Sequence, residues 1–518
     1  MPEQKPFYIT TPIYYVNDAP HIGHAYTTLA CDVLARFKHL DGYDVKFLTG
    51  TDEHGQKVEK SAKKAGMDPQ AFTDKVSQNF RDLAVSMNFT NDDFIRTTEE
   101  RHKISCQDIW QRLIDAGDIY LDSYAGWYSV RDEAFFGEGE LEDGPDGKKI
   151  APSGAEVEWV EEPSYFFKLS EWQDRLMDFY NANPDFILPL TRRNEVTSFV
   201  EGGLQDLSVS RTSFKWGVPV PNDGAHIMYV WLDALTNYIT AVGYPDTDHA
   251  EYQKYWPADV HMVGKDILRF HAVYWPAFLM AAGLAPPKRV FAHGWWTNEG
   301  EKISKSLGNV IDPLELIATY GLDQVRYFLL REVPFGNDGD FSRVAMIQRM
   351  NGELANDFGN LAQRVLSMIN KNCGARVPEP GDLTKDDNTL LVAVDGLLDV
   401  VREALDEQAI HIALEKIWTQ IRAANRYIDR QAPWILKKED PDRMKTILYV
   451  LAEAIRQLAL LTQPFVPEAA GKMLDQVAVA EEARDFSTFG EAGRLAPGTE
   501  LPKPEGVFPR FVVEDSAS

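Results

Sequence analysis

The chain is poor in cysteine, in positive charge and in long apolar runs. Its 518 residues include only three cysteines, Cys31, Cys106 and Cys373. None stands near another in sequence, so neither a disulfide framework nor a Cys-x2-Cys zinc pattern can be written. Few unpaired cysteines fit a reducing compartment. Against 79 acidic residues stand 53 lysines and arginines, a formal charge of -26. Such a balance keeps a chain soluble and repels nucleic acid at long range. An RNA-binding role must therefore rest on a few local groups. The longest apolar stretch, near 273–285, is too short to span a bilayer and contains Pro276. No apolar signal-peptide core follows Met1. These absences predict a soluble, cytoplasmic protein that does not enter a membrane.

Composition is otherwise ordinary, 44% apolar and 25% charged, and the length predicts about two to four domains. The organising stretch is residues 7–24, from a β-rich run (Phe7, Tyr8, Ile9) through a turn marked by Pro20 and Gly23 into a helical pattern. Leu29, Val33, Leu34 and Phe37 recur at helical spacing. His21 and His24 are thus expected at a strand-to-helix junction, where free backbone N–H groups and the helix dipole favour phosphate. Gly23, without a side chain, lets a flat ring approach the backbone. A second strand, 44–50, ends in Gly50-Thr51-Asp52-Glu53-His54-Gly55, placing Asp52 and His54 at a comparable position. Strand and helix alternation predicts an α/β fold with a parallel sheet, whose ligands lie at the carboxyl ends of strands.

From about 116 to 228 the texture changes to an acidic, glycine-rich region with short aromatic strands. It reads as an insertion. It has no cysteine and one histidine, His226. Strand patterns resume at 227–231, 261–264 and 290–294, with a helix over 270–282 between the last two. Glu301-Lys302-Ile303-Ser304-Lys305-Ser306 follows in a loop. From about 346 to 480 three apolar faces read as a helix bundle: Leu390 to Val401, Ile410 to Ile421 and Ile447 to Leu461. The tail beyond 481 is expected to be extended and to pack back through Val507, Phe508, Phe511 and Val512.

Together, His-Ile-Gly-His at 21–24 and Lys-Ile-Ser-Lys-Ser at 302–306 resemble the two signatures of class I aminoacyl-tRNA synthetases. The segment Tyr229 to Tyr238 narrows the resemblance to the methionyl enzymes, over nearly the whole chain. The resemblance implies a Rossmann-like catalytic domain (1–115 and 229–298) interrupted by a connective insertion (116–228). A signature loop with its connecting region (299–345) and a helical anticodon-binding domain with its tail (346–518) follow. It implies that methionine is activated with ATP to methionyl-adenylate, with release of pyrophosphate. The methionyl group then passes to the terminal adenosine of tRNA(Met).

Carried over by position, His21, His24, Lys302 and Lys305 are the expected catalytic groups. Gly23, Ser304 and Ser306 join them at ATP, which arrives with magnesium. Imidazoles suit hydrogen bonding to phosphate oxygens, and lysines suit the charge that builds on leaving pyrophosphate. Ile13, Tyr15, Trp231, Ala234, Leu235, Tyr238, Ile267 and His271 are the expected methionine pocket, since thioether sulfur packs well near aromatic rings. Asp52 would hold the ammonium group. Asn360, Arg364 and Trp434 would read the anticodon, with Pro433 breaking the preceding helix.

Two departures stand out. The insertion lacks the paired cysteines of the family's zinc knuckle, which predicts no structural zinc. The chain ends soon after the bundle, without the C-terminal dimerisation domain of many relatives, which predicts a monomer. Leu235 stands where some members carry proline. The alternatives are another class I synthetase, a small nucleotidylyltransferase, which also uses His-x-Gly-His, or a catalytically inactive RNA-binding relative.

Overall fold

In the computed structural model, residues 4–16, 19–131, 134–144, 147–303 and 309–512 are described. The chain forms two compact units, one of Met1–Lys5, His21–Val45 and His293–Ser518, the other of Pro6–Pro20 and Lys46–Ala292.

The unit of Pro6–Pro20 and Lys46–Ala292 is built on a parallel sheet. Its strands are β1 (Pro6–Thr10), β2 (Tyr14–Tyr15), β3 (Asp44–Asp52), β4 (Asp93–Arg96), β5 (Ile187–Leu188), β6 (Val260–Gly264) and β7 (Val290–His293). The order is β5-β7-β6-β1-β3-β2, with β4 also on β3. Tyr8, Ile9, Phe47, Leu48, Met262 and Val263 are fully buried, as expected of strands covered on both faces. β1 lies on β6 with Thr10 beside His261. At the end of β3, Asp52 lies opposite Tyr15. Two helices matter to the site: α2 (Glu100–Asp115) and the six-residue α3 (Val230–Leu235).

Two expectations are corrected here. The stretch 116–228 is not wholly an insertion, because Ile187–Leu188 pairs with Val290–Phe291 and supplies an edge strand of the central sheet. A two-residue apolar strand between helices carries no readable alternation. The strand expected at 227–231 is instead the end of Asp223–Met228, in a small antiparallel sheet, followed directly by α3. Most of the remaining stretch is antiparallel: Ile119–Ser129 runs against Glu158–Phe167 over ten paired residues, Ile119 to Tyr128.

The other unit contains α1 (Ile22–Leu40) and the helical bundle. Among its buried residues are Leu29, Val33, Leu34 and Phe37, but also Thr27, Thr28 and Asp32. This is a helix buried nearly all round rather than an amphipathic one. Asp32 pairs at 2.7 Å with the fully buried Arg326 guanidinium. Arg326 also donates to the carbonyls of Pro464 and Phe465.

The bundle includes α4 (Asn360–Asn372), α5 (Ile410–Gln431), α6 (Pro433–Glu439) and α7 (Pro441–Thr462), which is buried at every residue from Thr446 onward. All three apolar faces read from the sequence are buried. In the tail, Phe508 is buried against Phe358, and Phe511 packs on Tyr320 and exchanges hydrogen bonds with Asn351. Val512 is exposed.

Candidate active site

His21 is the N-cap of α1. Its Nδ1 accepts from the Gly23 N–H, while His24 Nδ1 accepts from the His21 N–H, each at 3.1 Å. This reciprocal arrangement is a capping box made of two imidazoles. The ring centroids stand 3.9 Å apart. Because each Nδ1 accepts, each ring carries its proton on Nε2, as a donor. Burial and the neighbouring His21 hold His24 well below the ordinary histidine range, so it is neutral at physiological pH. The flat ring that approaches Gly23 is that of His21 itself: a Cβ there would meet His21 Cε1 at 2.9 Å.

A cleft of about 360 Å³ opens at this helix start, lined by His21, Gly23, Tyr26, the stretch His293 to Thr297, Ile303 and Val310. Tyr26 sits edge-on to both His293 and Trp296. Trp296–Asn298 and Glu301–Lys302 form a tight hairpin through Glu299 and Gly300, both in the left-handed region. Lys302 pairs its backbone with Thr297. Ser304, Lys305 and Ser306 lie outside the described residues. Beyond them, Ile311 O accepts from the Ile22 N–H at 3.2 Å. The chain leaving the second signature is thus bonded to the first turn of the helix that carries the first.

The residues expected at methionine gather in the other unit. Leu235 and Tyr238 are buried in its main apolar core, with Ile13, Trp231, Ile267 and Phe270 packed against it. Trp231 lies flat on Phe270, with centroids 3.6 Å apart. The Tyr238 hydroxyl donates to His271 Nε2 at 2.7 Å, and His271 Nδ1–H donates to Ile267 O at 2.9 Å. Burial pushes His271 down to about 4, so this ring too is neutral. Ala234 and Asp52 are buried. Tyr15 belongs to a smaller cluster with Tyr14, Phe80 and Phe94.

Several polar residues here were missed. Asp233 is buried and accepts from His54 Nδ1 at 2.6 Å and from His102 Nε2 at 2.7 Å. Burial pushes its carboxyl up, but the two imidazoles outweigh this and hold it well below the usual carboxylate range. Glu53 takes a bidentate pair from Arg96. His261 stacks on Tyr238 at 4.0 Å and bonds Thr10. The signal for His54 lay in its place after β3. Asp233 and His102 are 131 residues apart, and no local pattern joins them.

In the bundle, Arg364 lies on α4 with its guanidinium 5.4 Å from the Trp434 ring centre, and it also pairs with Asp429. Asn360, at the start of α4, is exposed. Ala432 in the left-handed conformation separates α5 from α6, Pro433 opens α6, and Trp434 is 41% exposed.

Residues 7–366 match the family described as "tRNA synthetases class I (M)", and residues 377–518 match the "Anticodon binding domain of methionyl tRNA ligase". The chain is 57% identical to the methionine–tRNA ligase of Rhizobium meliloti (strain 1021), over 100% of both chains. It is likewise 57% identical to that of Brucella suis biovar 1 (strain 1330), over 99% of each. Among solved structures, Mycobacterium tuberculosis methionyl-tRNA synthetase in complex with methionyl-adenylate superposes with a TM-score of 0.96. It is 55% identical and aligns over 98% of this chain and 100% of that one.

Proposed function

Since the chain belongs to the class I methionyl-tRNA synthetases and is a methionine–tRNA ligase, we propose that its chemistry runs through the residues placed above. The carrying observation is the hydrogen-bond geometry: Nδ1 of His21 and of His24 is taken up in the helix cap, while His271 is bonded to Tyr238 and Ile267. His21 and His24 present Nε2–H donors on neutral rings, which suits an ATP phosphate chain. The methionine set offers an apolar aromatic slot closed by the neutral His271–Tyr238 pair, with the Asp52 carboxylate for an ammonium group.

The methionine carboxylate oxygen attacks the α-phosphorus of ATP. The bond from that phosphorus to the bridging oxygen breaks, and pyrophosphate leaves. Such a displacement needs positioning and positive charge rather than a covalent nucleophile. His21 and His24 hydrogen-bond phosphate oxygens as charge shifts onto them. Lys302 and Lys305 neutralise the departing pyrophosphate, with Ser304 and Ser306 as further donors. Magnesium enters with ATP as part of the substrate. In the second step the terminal ribose hydroxyl of tRNA(Met) attacks the methionyl carbonyl and AMP leaves.

Asn360, Arg364 and Trp434 take the anticodon, with Arg364 already seated on the tryptophan. This answers the objection from net charge: a few well-placed groups recognise one RNA, while the acidic remainder discourages others. Residues 116–228, apart from the edge strand Ile187–Leu188, act as a connective insertion without structural zinc. His226, its one histidine, is engaged with Ser210. The protein works as a cytoplasmic monomer. None of the described helices is long and apolar enough to cross a membrane.

The test is ATP–pyrophosphate exchange across a panel of amino acids. Methionine alone should support it, and Lys305→Ala should lower the exchange rate without weakening methionine binding. Exchange driven by another amino acid would overturn the substrate, and an unimpaired Lys305→Ala protein the role of that lysine.

A further inference from the structure

The sequence places His54 beside Asp52, and the reaction as described uses only Asp52. We propose that Asp233 is a positioning residue for methionine activation: clamped between His54 and His102, it locks the short helix carrying the methionine pocket to the strand end carrying Asp52. The inference rests on the reading of that pocket given above.

The helix α3 has six residues and makes no side-chain cap at its start. A helix so short does not hold itself in place and takes its orientation from tertiary contacts. One side of it presents Trp231, flat on Phe270, with Leu235 entering the core. Asp233 leaves toward other elements. One carboxylate oxygen goes to His54, two residues beyond Asp52, and the other to His102 on α2. A single buried carboxylate therefore ties three segments together. Both bonds are short and fully enclosed, with Asp233 and His102 at 0% exposure and His54 at 3%.

Proton placement follows from the geometry. His102 Nδ1 has no hydrogen-bond partner among the described residues, so a neutral ring puts its proton on Nε2, facing Asp233. Cys106, one turn along α2, brings its sulfur to 3.2 Å from His102 Nε2 and 3.7 Å from Asp233 Oδ1. Burial and the Asp233 charge push that thiol up, so it stays a weak donor. The donor atoms of His102, Cys106 and Asp233 converge within 4.8 Å, as metal ligands do. However, Nε2 and Oδ1 stand only 2.7 Å apart. Tetrahedral ligands at zinc distances stand about 3.3 Å or more from each other. The cluster is closed by protons.

If the clamp is lost, α3 tilts and Trp231 and Ala234 shift relative to Asp52. Displacing a binding group by about an ångström costs up to about a hundredfold. The substrate affected is the one these residues touch, methionine rather than ATP.

The experiment is steady-state ATP–pyrophosphate exchange with separate titrations of methionine and ATP, alongside thermal melting. Asp233→Asn keeps the shape but replaces one accepting oxygen with an NH2 donor facing an imidazole N–H. It should raise the methionine KM about tenfold or more and leave the ATP KM unchanged. If that protein does not fold, two variants at position 54 decide. His54→Ala should raise the methionine KM selectively. His54→Asn, which keeps an N–H near Nδ1, should restore it to within about threefold of wild type. An unchanged methionine KM in folded Asp233→Asn or in His54→Ala would overturn the proposal. So would parallel rises of both KM values, or a His54→Asn protein as impaired as His54→Ala. A wild-type protein without methionine-dependent exchange would instead strike the functional reading beneath it.

Discussion

Asparagine at position 24 separates two jobs that one imidazole performs. The Nδ1 of His24 accepts the His21 N–H and closes the cap of α1, and its Nε2–H is the group assigned to phosphate. An asparagine Oδ1 can take over the first role, since it reaches about as far as Nδ1 and accepts. It cannot reach the position of Nε2. A lost cap costs ~0.5–2 kcal/mol. A donor that acts on charge developing in the transition state is worth ~2.7–4 kcal/mol, or about 10²–10³ in rate. His24→Ala should therefore lose both stability and adenylation. His24→Asn should melt close to wild type yet lose adenylation by the same ~10²–10³. The assays are methionine-dependent pyrophosphate exchange and a thermal melt on both proteins. If His24→Asn recovers exchange to within a few-fold of wild type, the ring serves only to cap the helix, and its assignment to phosphate is wrong.

Asp52→Ala should raise the methionine KM in exchange and leave ATP binding intact; the reverse would move Asp52 to the nucleotide. Trp434→Ala should weaken tRNA charging by ~5- to 150-fold, the equivalent of one stacked base, with exchange almost intact. Equal loss of both activities would make Trp434 structural. His271 gives a pH signature. Its folded value is pushed down to about 4 from an ordinary 6.5, so below 6.5 the unfolded chain takes up a proton that the native state refuses. The stability it contributes is present above pH 6.5 and is lost as pH falls toward 4, up to about 3 kcal/mol. His271→Gln should flatten the acid limb of the melting profile over that window, and an unchanged slope would refute the assignment.

What could be read from the chain beforehand was what local order encodes. The helix start at His21, the strand ending in Asp52 and the break at Pro433 each show in a few adjacent residues. So do the three apolar faces of the bundle, because helical periodicity is written within two or three turns. Ile187–Leu188 could not be placed, since its partner strand begins at Val290 and two apolar residues fit any element. Ile227 to Trp231 read as one strand, but only its first half is extended: at Val230 the chain turns into α3, whose residues are buried by tertiary packing rather than by period. The Asp233 clamp was invisible for a related reason. A carboxylate and two histidines on three separate elements form no motif until the fold brings them together.

The ion pair between Asp32 and Arg326 has a consequence for the chain during its synthesis. The first long helix to leave the ribosome is α1, and its partners come late. Lys38 meets Asp406, and Phe37 packs on Phe486 at 5.0 Å. At ~5–20 residues per second, about 450 residues of further chain take ~20–90 s to emerge. During that time a helix fitted for burial on nearly every side has none of those partners. The sheet around β1 and β3 can close once residue 292 is out, but the segment 21–45 that interrupts it must wait for the bundle. Nascent chains stalled before and after residue 486 should thus differ most in the protection of this N-terminal helix, although it is made first.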